Sequence, residues 1–172
     1  LLRNFKKTVP QWAMKNMYQA HFHSHINYGL ILWGPMSNKS NFKKLTVLQN
    51  KALRAVDNKK YNSAINPICK KYNVVKLIDM VDLELSKMSF QIANNLLPEP
   101  ISNLFKKGRD FHHYNTRNRN NAVVAKHRSA IFNKSFLCKT PAIWNTLSQD
   151  VKNANNSKCF LRRLKKEKIN TY

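Results

Sequence analysis

The sequence predicts a mainly α protein, and three observations carry that expectation. Only three glycines and six prolines occur in 172 residues, whereas sandwiches and Rossmann-like folds need more turn and loop glycines. Apolar residues recur at helical spacing along most of the chain. They make up 42% of it, enough to bury a core in one domain or two small lobes.

The elements follow in order. Met14, Met17, Tyr18, His21, His25, Tyr28 and Leu32 recur as on one helix over 11–33, stopped by Gly34-Pro35. A second helix is expected over 41–56, with Ser40 as N-cap and Phe42, Leu45, Leu48, Ala52 and Val56 as its buried stripe. Lys43, Lys44, Lys51 and Arg54 fall off that stripe and make a basic outer face. Asp57-Asn58-Lys59-Lys60 reads as a turn, and Asn66-Pro67 as the N-cap and N1 pair of a short helix to Tyr72. Leu77, Val81, Leu85, Met88, Ile92 and Leu96 share one face of a helix over 76–96. Pro98-Glu99-Pro100 ends that helix and divides a helical lobe, 1–100, from a smaller, loop-rich helical lobe, 101–172. Residues 108–128 are polar and aperiodic, with room for one short strand or hairpin at Ala122–Ala125. Phe136–Leu147 reads as helix despite Pro141. Ser157 is expected to cap a last helix through Lys168, with Phe160 and Leu164 inward and Arg162, Arg163, Lys165 and Lys166 outward.

Charge is the strongest signal. Lys and Arg number 31 against eight acids, a net +23. Residues 1–56 carry nine basic residues and no acid, residues 57–99 are nearly neutral, and residues 100–172 carry sixteen basic residues against three acids. Two basic ends around a neutral middle predict a packed middle and ends that touch a polyanion such as nucleic acid. The other source of such charge is the Lys- and Asn-rich usage of an AT-rich gene.

Familiar enzyme chemistry is missing from the pattern. Cys69, Cys138 and Cys159 are odd in number and widely spaced, with no CxxC pair for a zinc ribbon or knuckle. Free thiols in a reducing, intracellular setting, cytoplasm and nucleus, are expected. No apolar run approaches the ~18 residues of a membrane span, and no signal peptide is visible, so no membrane partner is expected. A start at Leu1 suggests a fragment. His21, His23 and His25 form an HxHxH run in which only His21 and His25 would share a helix face, too few ligands for a metal. Asp79, Asp82 and Glu84 are the only acidic cluster and read as a solvated helix start, not a metal-holding carboxylate turn. No Gly-x-Ser-x-Gly or phosphate loop occurs, and nothing local supports a Cys138–His127 pair. Catalytic and metal-binding residues are therefore not expected. The run His112 to Arg119 leaves two readings open: rings and guanidinium groups that stack on bases, or a structural polar loop around Arg117.

Three motifs together resemble the end of reverse transcriptases of non-LTR (LINE-like, jockey-related) retrotransposons. The first is Ser24-His25-Ile26-Asn27-Tyr28-Gly29 followed by Trp33-Gly34. The second is Leu48-Gln49-Asn50-Lys51-Ala52-Leu53-Arg54. The third is Tyr114-Asn115-Thr116-Arg117, then Ser135-Phe136 and Trp144-Asn145-Thr146-Leu147, then Phe160. Ser148 stands where the family has a proline, and Leu161 where it has lysine. The resemblance implies a helical thumb over 1–100, starting partway through, and a basic C-terminal extension over 101–172. It also implies a non-catalytic part of an RNA-directed DNA polymerase, whose divalent metals belong to an absent catalytic part. The expected partners are RNA, RNA–DNA hybrid or DNA and the missing palm and fingers. The expected contacts are Lys43, Lys44, Lys51, Arg54, Arg117, Arg119, Arg162, Arg163, Lys165 and Lys166. Ser24, His25, Tyr28, Gly29, Trp33, Gly34, Gln49, Asn115, Thr116, Trp144 and Asn145 are expected to be structural. The alternative is a stand-alone basic RNA- or DNA-binding protein derived from such an element.

Overall fold

Asparagine performs in this chain a task that glycine usually performs. The computed structural model describes residues 2–5, 8–111, 113, 114, 119, 121–124 and 127–172. Across them the fold is mainly helical, as composition and periodicity predict. The helices are α1 (Leu2–Phe5), α2 (Gln11–Tyr18), α3 (Ser24–Asn27), α4 (Leu30–Met36), α5 (Lys39–Val56) and α6 (Asn66–Tyr72), then α7 (Leu77–Ala93) and α8 (Glu99–Ser102). After them come α9 (Ala130–Lys134), α10 (Phe136–Thr146), α11 (Gln149–Lys152) and α12 (Ser157–Asn170). Asn58, Asn73 and Asn95, just past α5, α6 and α7, take φ of 50°, 54° and 54°. After each, an N–H reaches back five residues: Lys59 to Arg54, Val74 to Cys69 and Leu96 to Gln91, at 2.9, 2.9 and 2.8 Å. This closure satisfies carbonyls that the helix end would leave bare. Glycine is its usual pivot, but asparagine tolerates the left-handed conformation. Three glycines therefore suffice for a chain that turns often.

Several expected boundaries change. The helix expected over 11–33 is interrupted by a π-helical turn, Gln19–His23, and by a turn at Tyr28-Gly29, where Gly29 has φ 62°. Gly34-Pro35 lies inside α4, which ends one residue later. Asn38 caps α5 in place of Ser40, its Oδ1 accepting from Ser40 N–H at 3.1 Å. Ile65, not Asn66, stands at the α6 N-cap, and Pro67 sits in the first turn. Asn156 Oδ1 accepts from Cys159 N–H at 2.8 Å, so Asn156 and not Ser157 caps α12. The strand expected at Ala122–Ala125 is, among the described residues, one antiparallel bridge between Lys107 and Ala122; Ala125 lies outside them.

The chain folds as two compact units, each discontinuous in sequence: 1–30, 37–81 and 165–172 in the first, 31–36 and 82–164 in the second. The expected lobes, 1–100 and 101–172, were contiguous stretches. The first unit is built on Met14, Tyr18, Leu53, Val56, Ile68, Cys69, Tyr72 and Val74. Leu48, expected in the α5 stripe, is 52% exposed, and the buried face is Gln49, Leu53 and Val56. In the second unit, Phe90 and Phe160 are buried with ring centroids 4.7 Å apart. Ser89 Oγ bridges α7 to α10 by donating to Thr140 C=O at 2.9 Å. No described helix is long and apolar enough to cross a membrane.

Candidate nucleic-acid interface

A polar residue in a helix core must bring its own partners, and Gln49 does. Its side chain is fully buried. Nε2 donates to Tyr18 Oη at 3.1 Å and to Val75 C=O at 2.9 Å, and Oε1 accepts from Leu77 N–H at 2.8 Å. The last bond satisfies one of the bare N–H groups that open α7. Burial pushes the Tyr18 phenol up to about 12 despite the Gln49 bond. Lys76 N–H, next to that helix start, is taken by Tyr172 Oη at 3.0 Å, and the same hydroxyl donates to Asp79 Oδ2 at 2.7 Å. Asp79 also pairs with Lys168 at 3.3 Å, so it is engaged in holding the C-terminal end of α12.

Turning Gln49 inward sets what α5 shows to solvent. Lys44, Leu48, Lys51 and Ala55 recur at i, i+4, i+7 and i+11 and so lie along one stripe. Lys43, Lys44, Leu48 and Lys51 are exposed. The stripe runs into a cleft of about 730 Å³ walled by His21, Phe22, Lys51, Ala52, Arg54, Ala55, Lys59, Lys60 and Tyr61 together with Leu2. No carboxylate stands among these described lining residues. The nearest acid in sequence, Asp57, is buried instead, taking Lys71 Nζ at 2.5 Å and Tyr72 Oη at 2.8 Å. Burial alone would raise the Asp57 carboxyl, but those two hydrogen bonds together with the charges of Lys71 and Lys59 outweigh it and hold it below the usual carboxylate range. The closure at Asn58 then leaves Lys59, Lys60 and Tyr61 in solvent.

The expected contacts separate on this structure. Lys43, Lys44 and Lys51 are exposed and Lys51 lines the cleft. Arg54 also lines it but is half-buried, its Nε donating to Ser63 C=O at 2.8 Å and its guanidinium lying 5.8 Å from the Tyr61 ring centroid. Arg162 and Lys166 are exposed. Arg163 is exposed with Nη1 on Asp150 C=O at 2.7 Å. Lys165, expected outward, is half-buried, and desolvation, with a lesser push from Lys15, lowers its pKa. Its long apolar stem allows that placement. Arg119 is half-buried; Arg117, Asn115 and Thr116 lie outside the described residues.

Among the residues expected to be structural, Ser24 Oγ donates to Ala20 C=O, and Asn145 bonds both backbone groups of Ala122. Gly34 is buried, Trp33 and Trp144 are half-buried, and His25 and Tyr28 are exposed. Among the described residues no three His, Cys, Asp or Glu side chains converge as metal ligands. Cys69 and Cys138 are buried and Cys159 is half-buried. His21, Lys59, Lys60 and Tyr61 were not expected in a site. The turn 57–60 carried the signal, two lysines followed by an aromatic, but only the fold sets them opposite Lys51. No family model matches this chain, and no curated protein or solved structure matches it either.

Proposed function

We propose that the chain binds nucleic acid through backbone phosphates, without reading sequence, as a non-catalytic part of an RNA-directed DNA polymerase of the non-LTR type. One observation carries the binding: a cleft holding Lys51, Arg54, Lys59 and Lys60 with no described carboxylate, continued along α5 by Lys44. Phosphate contacts of this kind position a ligand and carry no base code. The polymerase context is supported by the order of the three motifs and by the clamping roles of Gln49 and Asn145, which belong to two of them. The divalent metals and carboxylates of the chemistry belong, in this reading, to the absent palm.

The test is a titration of the purified chain with duplex DNA, RNA–DNA hybrid and single-stranded RNA across a range of salt. Affinity is expected to be tolerant of sequence and to fall steeply with salt, each phosphate neutralised on a duplex adding about 0.9 to the log–log slope. A complex indifferent to salt overturns the reading.

A further inference from the structure

We infer that the cleft seats one unpaired nucleotide, its base on the open face of the Tyr61 ring and its phosphates on Lys51, Lys59 and Lys60. The inference rests on the nucleic-acid reading above and adds a site for a strand where that reading has only a surface for a backbone. Tyr61 is 75% exposed, a large aromatic that the fold itself scarcely covers. It is nonetheless supported. The Arg54 guanidinium lies 5.8 Å from its ring centroid, and Arg54 is tethered through Nε to Ser63 C=O at 2.8 Å. A ring backed by a tethered cation is a prepared stacking platform, and every base offers a π-face to it.

The shape of the site selects the strand. The cleft is concave, about 730 Å³, within the range of roughly 300–1,000 Å³ typical of sites that enclose a small ligand. Phe22 and Ala52 give it an apolar wall, and Lys51, Lys59 and Lys60 supply the cations. Inside a duplex the faces of the bases are stacked on one another, so a base reaches such a cleft only when unpaired or extruded. The outer face of α5, with Lys43 and Lys44, asks for no such distortion and suits a paired backbone. One surface therefore offers two kinds of contact: along α5 for a duplex, and in the cleft for a strand.

The experiment uses the full chain, a fluorescein-labelled 12-nucleotide single strand of mixed sequence, the matching duplex, and inorganic polyphosphate as a polyanion without bases. Tyr61→Ala should weaken single-strand binding roughly 10- to 100-fold, the effect of losing one stacked base. Duplex and polyphosphate binding should change by less than about twofold, because no charge is lost. The salt slope should be unaltered, and Tyr61→Phe should bind like the parent chain. An unchanged thermal melt for Tyr61→Ala shows that the variant is folded, as the exposure of the side chain predicts. If the parent chain binds but Tyr61→Ala keeps its single-strand affinity, the cleft inference fails and the nucleic-acid reading stands. Equal losses on polyphosphate assign the cleft to charge alone and overturn the inference. A parent chain that binds none of the three probes overturns both.

Discussion

The Asn145 carboxamide grips Ala122 by both of its backbone groups, Oδ1 accepting from the N–H at 3.0 Å and Nδ2 donating to the C=O at 2.9 Å. A short polar side chain on α10 thereby adds to the antiparallel bridge that pairs Ala122 with Lys107. Asn145→Ala leaves two backbone groups to find water. A loss of about 1–2 kcal/mol in urea unfolding is expected. Amide exchange at Ala122 should quicken, while exchange at the core residue Leu53 keeps pace with global unfolding.

Gln49 is the corresponding clamp in the first unit. Gln49→Leu keeps the volume but strips partners from Tyr18, Val75 and Leu77, all of them in the interior. It should cost about 3 kcal/mol or more by denaturant melt. Gln49→Glu is the sharper variant. A buried carboxylate has its pKa raised above the unfolded value, so the stability it forfeits is regained as pH falls below the folded pKa. The gap from the parent chain should narrow between neutral pH and pH ~4.5, because a protonated Glu can again donate to Val75 C=O. A gap that is flat with pH shows that the side chain has left its site.

The Asp57 carboxyl works in the opposite direction. Its folded pKa is depressed, so its contribution is complete above the unfolded value near ~3.9 and lost as pH falls through the lower folded value. Asp57→Asn should therefore narrow its deficit against the parent chain only below pH ~4. Melts at pH 7, 5, 4 and 3 measure it, and a deficit that shrinks already between pH 7 and 5 contradicts the assignment.

Ser148 has the backbone geometry that a proline would take. Its φ is −66°, the preceding Leu147 is extended at ψ 143°, and its N–H makes no backbone hydrogen bond among the described residues. A proline ring fixes that φ and demands that neighbour. Ser148→Pro should stabilise the chain by about 0.4–1 kcal/mol by restricting the unfolded state. A lower melting temperature would show that the backbone there differs.

Lys44 and Lys51 lie on one exposed stripe of α5. Lys44→Ala and Lys51→Ala should each weaken duplex binding by similar factors for unrelated sequences. Each should also lower the salt slope by roughly one unit. Full affinity in the double variant would remove α5 from the binding surface and leave its charge to codon usage.

The sequence by itself determined the helical class, the positions of most helices and the basic character of the molecule. Periodicity, proline placement and net charge are local or additive properties, so they survive without a fold. It did not say what Gln49 and Asn145 hold. Tertiary structure decided the rest. The α5 stripe predicted Leu48 inward by hydrophobicity. The fold turned Gln49 inward instead, because three partners more than 25 residues away satisfy its amide, and rotation of the helix then exposed Leu48. The same long-range choice separated Arg54 and Lys165, which are partly buried, from Lys44 and Lys51, which are exposed. It also buried Asp57 against Lys71 and Tyr72, removing the one acid from beside Lys59, Lys60 and Tyr61. Which face a helix buries depends on partners that sequence spacing does not name, and the proposed binding surface is what that choice leaves outside.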